Sequence, residues 1–117
     1  MTIREFYEQT AGDYEGVMGR LMTEQRVQKY VLKFPNGTDF ADLTAALEAG
    51  QWDLAFRAVH NLKGMSLNLG FAPMAAVSSD LCELLRDGQP KEDPAPYYEK
   101  VRTAYEGLTA AIAGLDR

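Results

Sequence analysis

The 117-residue sequence is poor in the residues that build disulfides and metal sites, with one cysteine, Cys82, and one histidine, His60. A single cysteine cannot form an internal disulfide, which excludes a small secreted scaffold held together by such bonds. Zinc sites usually need three or four Cys and His ligands, so these two residues do not indicate one. We therefore expect no metal site and no cofactor of the chain's own.

Positive charge is also scarce, because 12 Lys and Arg stand against 17 Asp and Glu, giving a formal net charge of −5. This balance argues against general binding to nucleic acid or to anionic membranes. The sequence has no apolar run long enough to span a bilayer, and its first residues lack the regions of a signal peptide. We expect a cytoplasmic protein with residues 1–117 in a single domain, and nothing in the sequence requires more than a monomer.

No block alternates apolar and polar residues with many β-branched side chains, which is the mark of strands, whereas helical spacing of apolar residues is present in the blocks. Glycine and proline divide the chain into blocks of helical length. The fold predicted is all-α: an antiparallel four-helix bundle with short extra N-terminal helices.

Several helix boundaries follow from capping residues. We expect a short helix over residues 2–9 and a break near Thr23, which is a good N-cap. Thr38 or Asp39 suits the start of the next helix, and the Asp93-Pro94 pair suits the start of the last one. The N-terminal helix can cover an end of the bundle, add Ile3 and Phe6 to a docking surface, or do both.

The helix over residues 51–69 carries a regular apolar stripe and one anomaly. The stripe has spacings of three and four residues: Trp52, Ala55, Val59, Leu62, Ser66 and Leu69. Gly64, near the middle, is unfavourable by about 1 kcal/mol relative to alanine. His60 lies beside the stripe, on its flank, with Lys63 at i+3 and Gly64 at i+4 as surface neighbours. A side chain at position 64 would lean over the imidazole, so glycine leaves the ring accessible.

Phosphoryl transfer through a nucleophilic imidazole fits this arrangement. Imidazole ordinarily titrates at about pH 6.5, so a neutral ring nitrogen is available to form a covalent intermediate. Nearby cations stabilise the charge on a transferred phosphoryl group, and Lys63 and Arg57 are candidates. Phe56 and Leu67 add apolar surface around His60, and Asn68 completes the expected partner-binding residues. The alternative for Gly64 is close helix packing.

The segment from His60 to Gly70 resembles the signature of histidine-containing phosphotransfer (HPt) domains. The signature is His-x-Leu-Lys-Gly, then small or polar residues, then an apolar residue and glycine. Seven positions match: His60, Leu62, Lys63, Gly64, Ser66, Leu69 and Gly70. Ala58 also fits the small residue that is usual upstream, whereas Met65 stands where a small residue is commoner.

The resemblance implies a stand-alone histidine phosphocarrier of a multistep, two-component phosphorelay. His60 would accept a phosphoryl group at Nε2 from the aspartate of a receiver domain and pass it to another receiver. Partners would be receiver domains of response regulators or of hybrid histidine kinases, and Mg²⁺ would belong to the receiver. A polar side chain on the next helix often holds the other ring nitrogen in this family, and Ser78, Ser79 and Cys82 are candidates.

Two other functions compete with a phosphocarrier that has no kinase activity of its own. One is a helical adaptor that docks a receiver or a kinase without carrying phosphate, for which an accessible imidazole would be unnecessary. The other is a small enzyme with His60 as general base, for which the sequence offers no second catalytic group nearby.

Overall fold

The computed structural model describes residues 1–117, and it contains seven α-helices and no strand. The helices are α1 (Ile3–Gln9), α2 (Tyr14–Leu21), α3 (Glu24–Lys33), α4 (Asp39–Glu48), α5 (Trp52–Asn68), α6 (Ala72–Leu85) and α7 (Ala95–Ala113), and a short 3₁₀ helix, Phe34–Asn36, follows α3. The prediction of an all-α fold is confirmed.

Helices α4 to α7 form the bundle. Helix α5 packs between α4 and α6, and α6 also packs against α7. The connections over residues 49–51 and 69–71 are short, so successive helices run in opposite directions. Helix α7 returns to α4, where the rings of Phe40 and Tyr105 stack at 4.3 Å between centroids. The Thr44 and Tyr98 hydroxyls share a hydrogen bond of 2.7 Å in the same contact.

Helix α5 buries the stripe that its spacing predicts. Ala55, Val59, Leu62 and Ser66 are all buried, while the two ends of the stripe are half-buried. The helix ends just before Gly70, which has a φ of +73°, a conformation that glycine adopts without steric cost.

Side-chain hydrogen bonds show which of the predicted caps, Thr23 and Thr38, forms at the start of its helix. The chain breaks at Thr23 as expected, and the Thr23 hydroxyl accepts a hydrogen bond of 3.2 Å from the Arg26 amide. Thr38 precedes α4 but does not cap it, because its hydroxyl bonds to the Asp42 carboxylate instead.

The last helix begins one residue later than predicted, since Asp93 was expected as the N-cap and Pro94 as the first helical residue. Helix α7 starts at Ala95, and Pro94 precedes its first turn. Asp93 is still the capping acceptor, since its carboxylate accepts a hydrogen bond of 3.0 Å from the Ala95 amide.

The N-terminal helix covers the bundle with Ile3 and Phe6, the two residues that the sequence also offered to a docking surface. Ile3 and Phe6 keep 4% and 0% of their surface exposed and belong to the same hydrophobic cluster as the bundle helices. The Phe6 ring meets Phe71, at the start of α6, edge to face at 5.9 Å. The expectation that Ile3 and Phe6 contact a partner is therefore wrong, because their apolar side chains are already covered by the core. No helix is long and apolar enough to cross a membrane.

Candidate functional site

His60 projects from the exposed side of α5. The adjoining Val59 is fully buried, and the imidazole lies about 100° farther around the helix, in solvent. Its ring lies 5.7 Å from that of Phe56, one turn earlier. The structure therefore fixes the histidine on a rigid helix while leaving its ring open to a partner.

Gly64 is one turn beyond His60 and faces open space. A Cβ atom built at this position would meet no atom within 4 Å outside the helix's own backbone. Close packing of two helices therefore does not explain this glycine. Because a helical side chain leans toward the N-terminal end of its helix, glycine leaves free the space over the imidazole.

Lys63 lies on the side of His60 that faces α6. The charge of Lys63 acts on two groups of that helix, the Cys82 thiol and the Glu83 carboxylate. Burial raises the pKa of the Cys82 thiol, and the charges of Lys63 and Arg86 oppose this rise. The hydrogen bond from Arg86 is the main cause that lowers the pKa of Glu83, and Lys63 adds to it. The lysine is half-buried and so has a restricted position beside the histidine.

A second cation approaches the same side of the site from α6. The Arg86 guanidinium lies 5.6 Å from the centre of the Phe56 ring, within the range of a cation–π contact. Arg86 and His60 are therefore both neighbours of the Phe56 ring. The sequence gives no signal for it, because Phe56 and Arg86 lie on different helices.

Arg57 lies on the opposite side of His60 from Lys63, toward α4. It shares a shallow groove with Asp39 and Asp42 of α4. Asn61 in the same groove donates a hydrogen bond of 3.3 Å to Asp39. The sequence places Arg57 near His60, and the structure adds two carboxylates of α4 that line the same groove.

The three candidates on α6 for holding the imidazole do not bond to it. The Ser78 hydroxyl is buried without a hydrogen-bond partner, and Cys82 is fully buried. Ser79 is half-buried, and the side-chain hydrogen bonds within α6 are those between Arg86 and Glu83. The imidazole is therefore not oriented by α6 in this structure.

Leu67 and Asn68 extend the exposed face of α5 by one more turn. Leu67 keeps 55% of its surface exposed, which is a large value for an aliphatic side chain. Their backbone carbonyls each accept a hydrogen bond of 3.0 Å from the Arg20 guanidinium. A cation at this place complements the helix dipole at the C-terminal end of α5, where the Leu67 carbonyl also accepts a hydrogen bond from the Gly70 amide. The sequence carries no local signal for Arg20, which lies 47 and 48 positions before its acceptors.

The end of the histidine motif is held by the N-terminal segment in two further places. The buried Tyr7 hydroxyl donates a hydrogen bond of 2.6 Å to the Leu69 carbonyl. The Asp13 amide donates one of 2.8 Å to the Gly70 carbonyl. No local pattern in the sequence indicates these contacts, because the partners are more than 50 residues apart.

Taken together, the bundle and its surface define a class: an all-α module whose candidate reactive group is one exposed histidine on a central helix. The Hpt domain family model matches residues 36–115, more than half of the chain. The chain therefore belongs to the Hpt domain family, whose members are phosphocarrier modules that interact with receiver domains in phosphorelays. Searches of the curated proteins and of the solved structures found no matching protein.

Proposed function

We propose that this protein is a histidine phosphocarrier, and that His60 takes a phosphoryl group from the aspartate of one receiver domain and gives it to another. The observation that carries the proposal is the open space at Gly64 beside the exposed imidazole. A mid-helix glycine with no packing contact reduces helix stability. The need of a large partner to approach His60 would explain why glycine stands at this position.

The transfer is an exchange of one bond to phosphorus for another. A lone pair on the Nε2 atom of His60 attacks the phosphorus, a P–N bond forms, and the P–O bond to the receiver's aspartate breaks. The carboxylate leaves with the electron pair of that bond, and the Nδ1 proton stays on the ring. In the second half of the cycle an aspartate oxygen attacks the phosphorus, and the imidazole leaves as the neutral ring.

The two cations beside His60 on α5, Lys63 and Arg57, are not equally suited to stabilise the transferred phosphoryl group. The phosphoryl oxygens carry negative charge throughout, so a cation at hydrogen-bond reach stabilises them. Lys63 is the better candidate because Arg57 shares its groove beside α4 with two carboxylates, Asp39 and Asp42. The receiver would supply Mg²⁺ and the aspartate, so this chain needs no kinase activity of its own.

The carrier that we propose is a cytoplasmic monomer in which residues 1–117 act as one domain. Its docking face is centred on His60 and Gly64, with Phe56 and Leu67 as the apolar contacts. An interface that must form and dissociate with several partners is expected to be small.

The decisive experiment is transfer of a radioactive phosphoryl group from a phosphorylated receiver domain of the same organism. We expect a label on this chain that is lost in acid and stable in base, as a phosphohistidine is. Because the sequence has one histidine, such a label assigns the site directly. The variant His60→Gln should take up no label while keeping the helical circular dichroism of the parent.

Two results would contradict the proposal. Label that survives in His60→Gln would move the reaction to another residue. Receiver binding without any label, with receivers that do phosphorylate other carriers, would favour the adaptor that docks without carrying phosphate.

A further inference from the structure

A groove of about 490 Å³, here called the N-terminal groove, lies between the N-terminal segment and the last turns of α5. Leu21, Tyr30 and Phe34 form its walls on the N-terminal side, and Met65 and Leu69 form them on α5. Phe34 is buried, but Tyr30 keeps 46% of its surface exposed. The groove is therefore an apolar surface that the protein's own core does not fill.

The only charged residues that line the N-terminal groove are Arg20 and Lys33. Arg20 is fixed by its two hydrogen bonds to the end of α5, and the Lys33 ammonium lies 5.8 Å from the centre of the Tyr30 ring. No carboxylate lines the groove, although the chain has a net charge of −5. Its charge suits an occupant with acidic and apolar side chains.

The N-terminal groove is continuous with the face that carries His60. Asn68 lines the groove, and it follows His60 and Gly64 at intervals of four residues along α5. Eight residues of helix span about 12 Å, and four-residue steps stay near one face. Leu67 is exposed beside this line. A domain seated on His60 therefore reaches the groove without leaving the surface of α5.

The groove depends on residues outside the part of the chain that matches the Hpt family. The match covers residues 36–115, whereas Arg20, Leu21, Tyr30, Lys33 and Phe34 all precede it. A surface added by this segment can distinguish partners that the shared motif treats alike.

We propose that the N-terminal groove binds a surface helix of the receiver domain that docks on His60. An apolar side chain of that helix enters between Tyr30 and Met65, and a carboxylate beside it faces Lys33. Tyr30 and Lys33 are thus specificity-determining residues that select the receiver without touching the reacting atoms. This inference rests on the proposed function and names the chemistry of its partner.

The test compares two groove variants, Lys33→Glu and Tyr30→Ala, with the matched control Lys29→Glu. Lys29 is exposed on the same helix and does not line the groove, so its variant makes the same change of net charge. Among the receiver domains of the same organism, the test uses the one that transfers its phosphoryl group to the parent protein fastest. We measure the dissociation constant for that receiver and the transfer rate at saturating receiver.

We expect Lys33→Glu to raise the dissociation constant about tenfold or more and Tyr30→Ala to raise it severalfold, with little change in the saturated transfer rate. The effect of Lys33→Glu should shrink as salt increases, since it reports a charge contact. Lys29→Glu should bind like the parent, and a lysine placed at the facing carboxylate of the receiver should restore binding to Lys33→Glu.

A small phosphate donor separates this inference from the proposed function. Phosphoramidate reaches His60 without docking, so the groove variants should be labelled by it as the parent is. Failure of both phosphoramidate and every receiver to label the parent would refute the phosphocarrier. Labelling of the parent together with unchanged dissociation constants in both groove variants would refute the groove alone, as would an equal loss in Lys29→Glu. A dimer of the parent that Lys33→Glu disperses, with receiver affinity unchanged, would assign the groove to a second copy and overturn our proposal.

Discussion

The amide of Asp13 donates a hydrogen bond of 2.8 Å to the carbonyl of Gly70, so the last residue of the histidine motif is held by the N-terminal segment. The approach is so close that a Cβ atom on Gly70 would lie 2.6 Å from the Asp13 carbonyl oxygen. The glycine that ends the motif is thus required by the fold, whereas the glycine beside the histidine is not.

The first prediction concerns Gly70→Ala. Its φ of +73° is unfavourable for alanine, and the backbone of Asp13 cannot move away easily, so we expect a loss of about 3 kcal/mol in the free energy of unfolding. Urea denaturation measures this loss. Gly64→Ala is the comparison and should gain about 0.5–1 kcal/mol, because it lies within a helix in open space. Equal effects at the two glycines would contradict this distinction.

The second prediction concerns access to the imidazole. Gly64→Gln should keep the fold and reduce phosphoryl transfer from a receiver about a hundredfold or more, since the new side chain leans over His60. Gly107→Gln is the matched control, because Gly107 also lies within a long helix and faces open space. Both variants should unfold at similar urea concentrations, and only the first should lose transfer. Full transfer by Gly64→Gln would remove the access argument.

A third prediction assigns the cation. Lys63→Ala should slow transfer about tenfold or more, because the positive charge of the half-buried lysine beside His60 no longer offsets the charge of the phosphoryl oxygens. Rapid-quench measurement of labelled protein gives the rate. Arg57→Ala should have a smaller effect, since Arg57 lines a groove that also holds the carboxylates of Asp39 and Asp42. The reverse order of the two effects would show that the α4 side of the site contacts the phosphoryl group.

The fourth prediction is a pH dependence of stability. Burial raises the pKa of Tyr7 far above its usual range, with the charge of Arg20 opposing this effect. The folded state therefore keeps the phenol proton where the unfolded chain loses it, at about pH 10. The contribution of Tyr7 to stability is present in full below that pH and is lost as the pH rises above it.

The variant Tyr7→Phe tests this dependence. At neutral pH it should be less stable by about 1 kcal/mol, because the hydrogen bond to the Leu69 carbonyl is gone. Between about pH 9 and 11 the difference between parent and variant should narrow, since only the parent can lose stability through this ionisation. Urea denaturation across that range measures it, and parallel curves for the two proteins would contradict the role of Tyr7.

Much of the fold could be predicted because it depends on residues close together in the sequence. The apolar spacing of α5 and the cap at Thr23 each act within one or two turns of helix. One local feature differs from expectation: Thr38, one of the two candidates for the cap of α4, bonds to the Asp42 side chain instead of capping the helix. The buried positions of Ile3 and Phe6 could not be predicted, because an amphipathic helix can face either the core or a partner.

The candidate site also has some features that the sequence predicts and others that depend on how the helices pack. The order of His60, Lys63 and Gly64 on one surface follows from the sequence alone, because the geometry of an α-helix fixes how residues three and four apart are arranged. The packing of the helices is what places two carboxylates in the groove with Arg57, Arg86 against Phe56, and Gly64 in open space. These are properties of how different helices pack, and the spacing of residues within one helix carries no information about them.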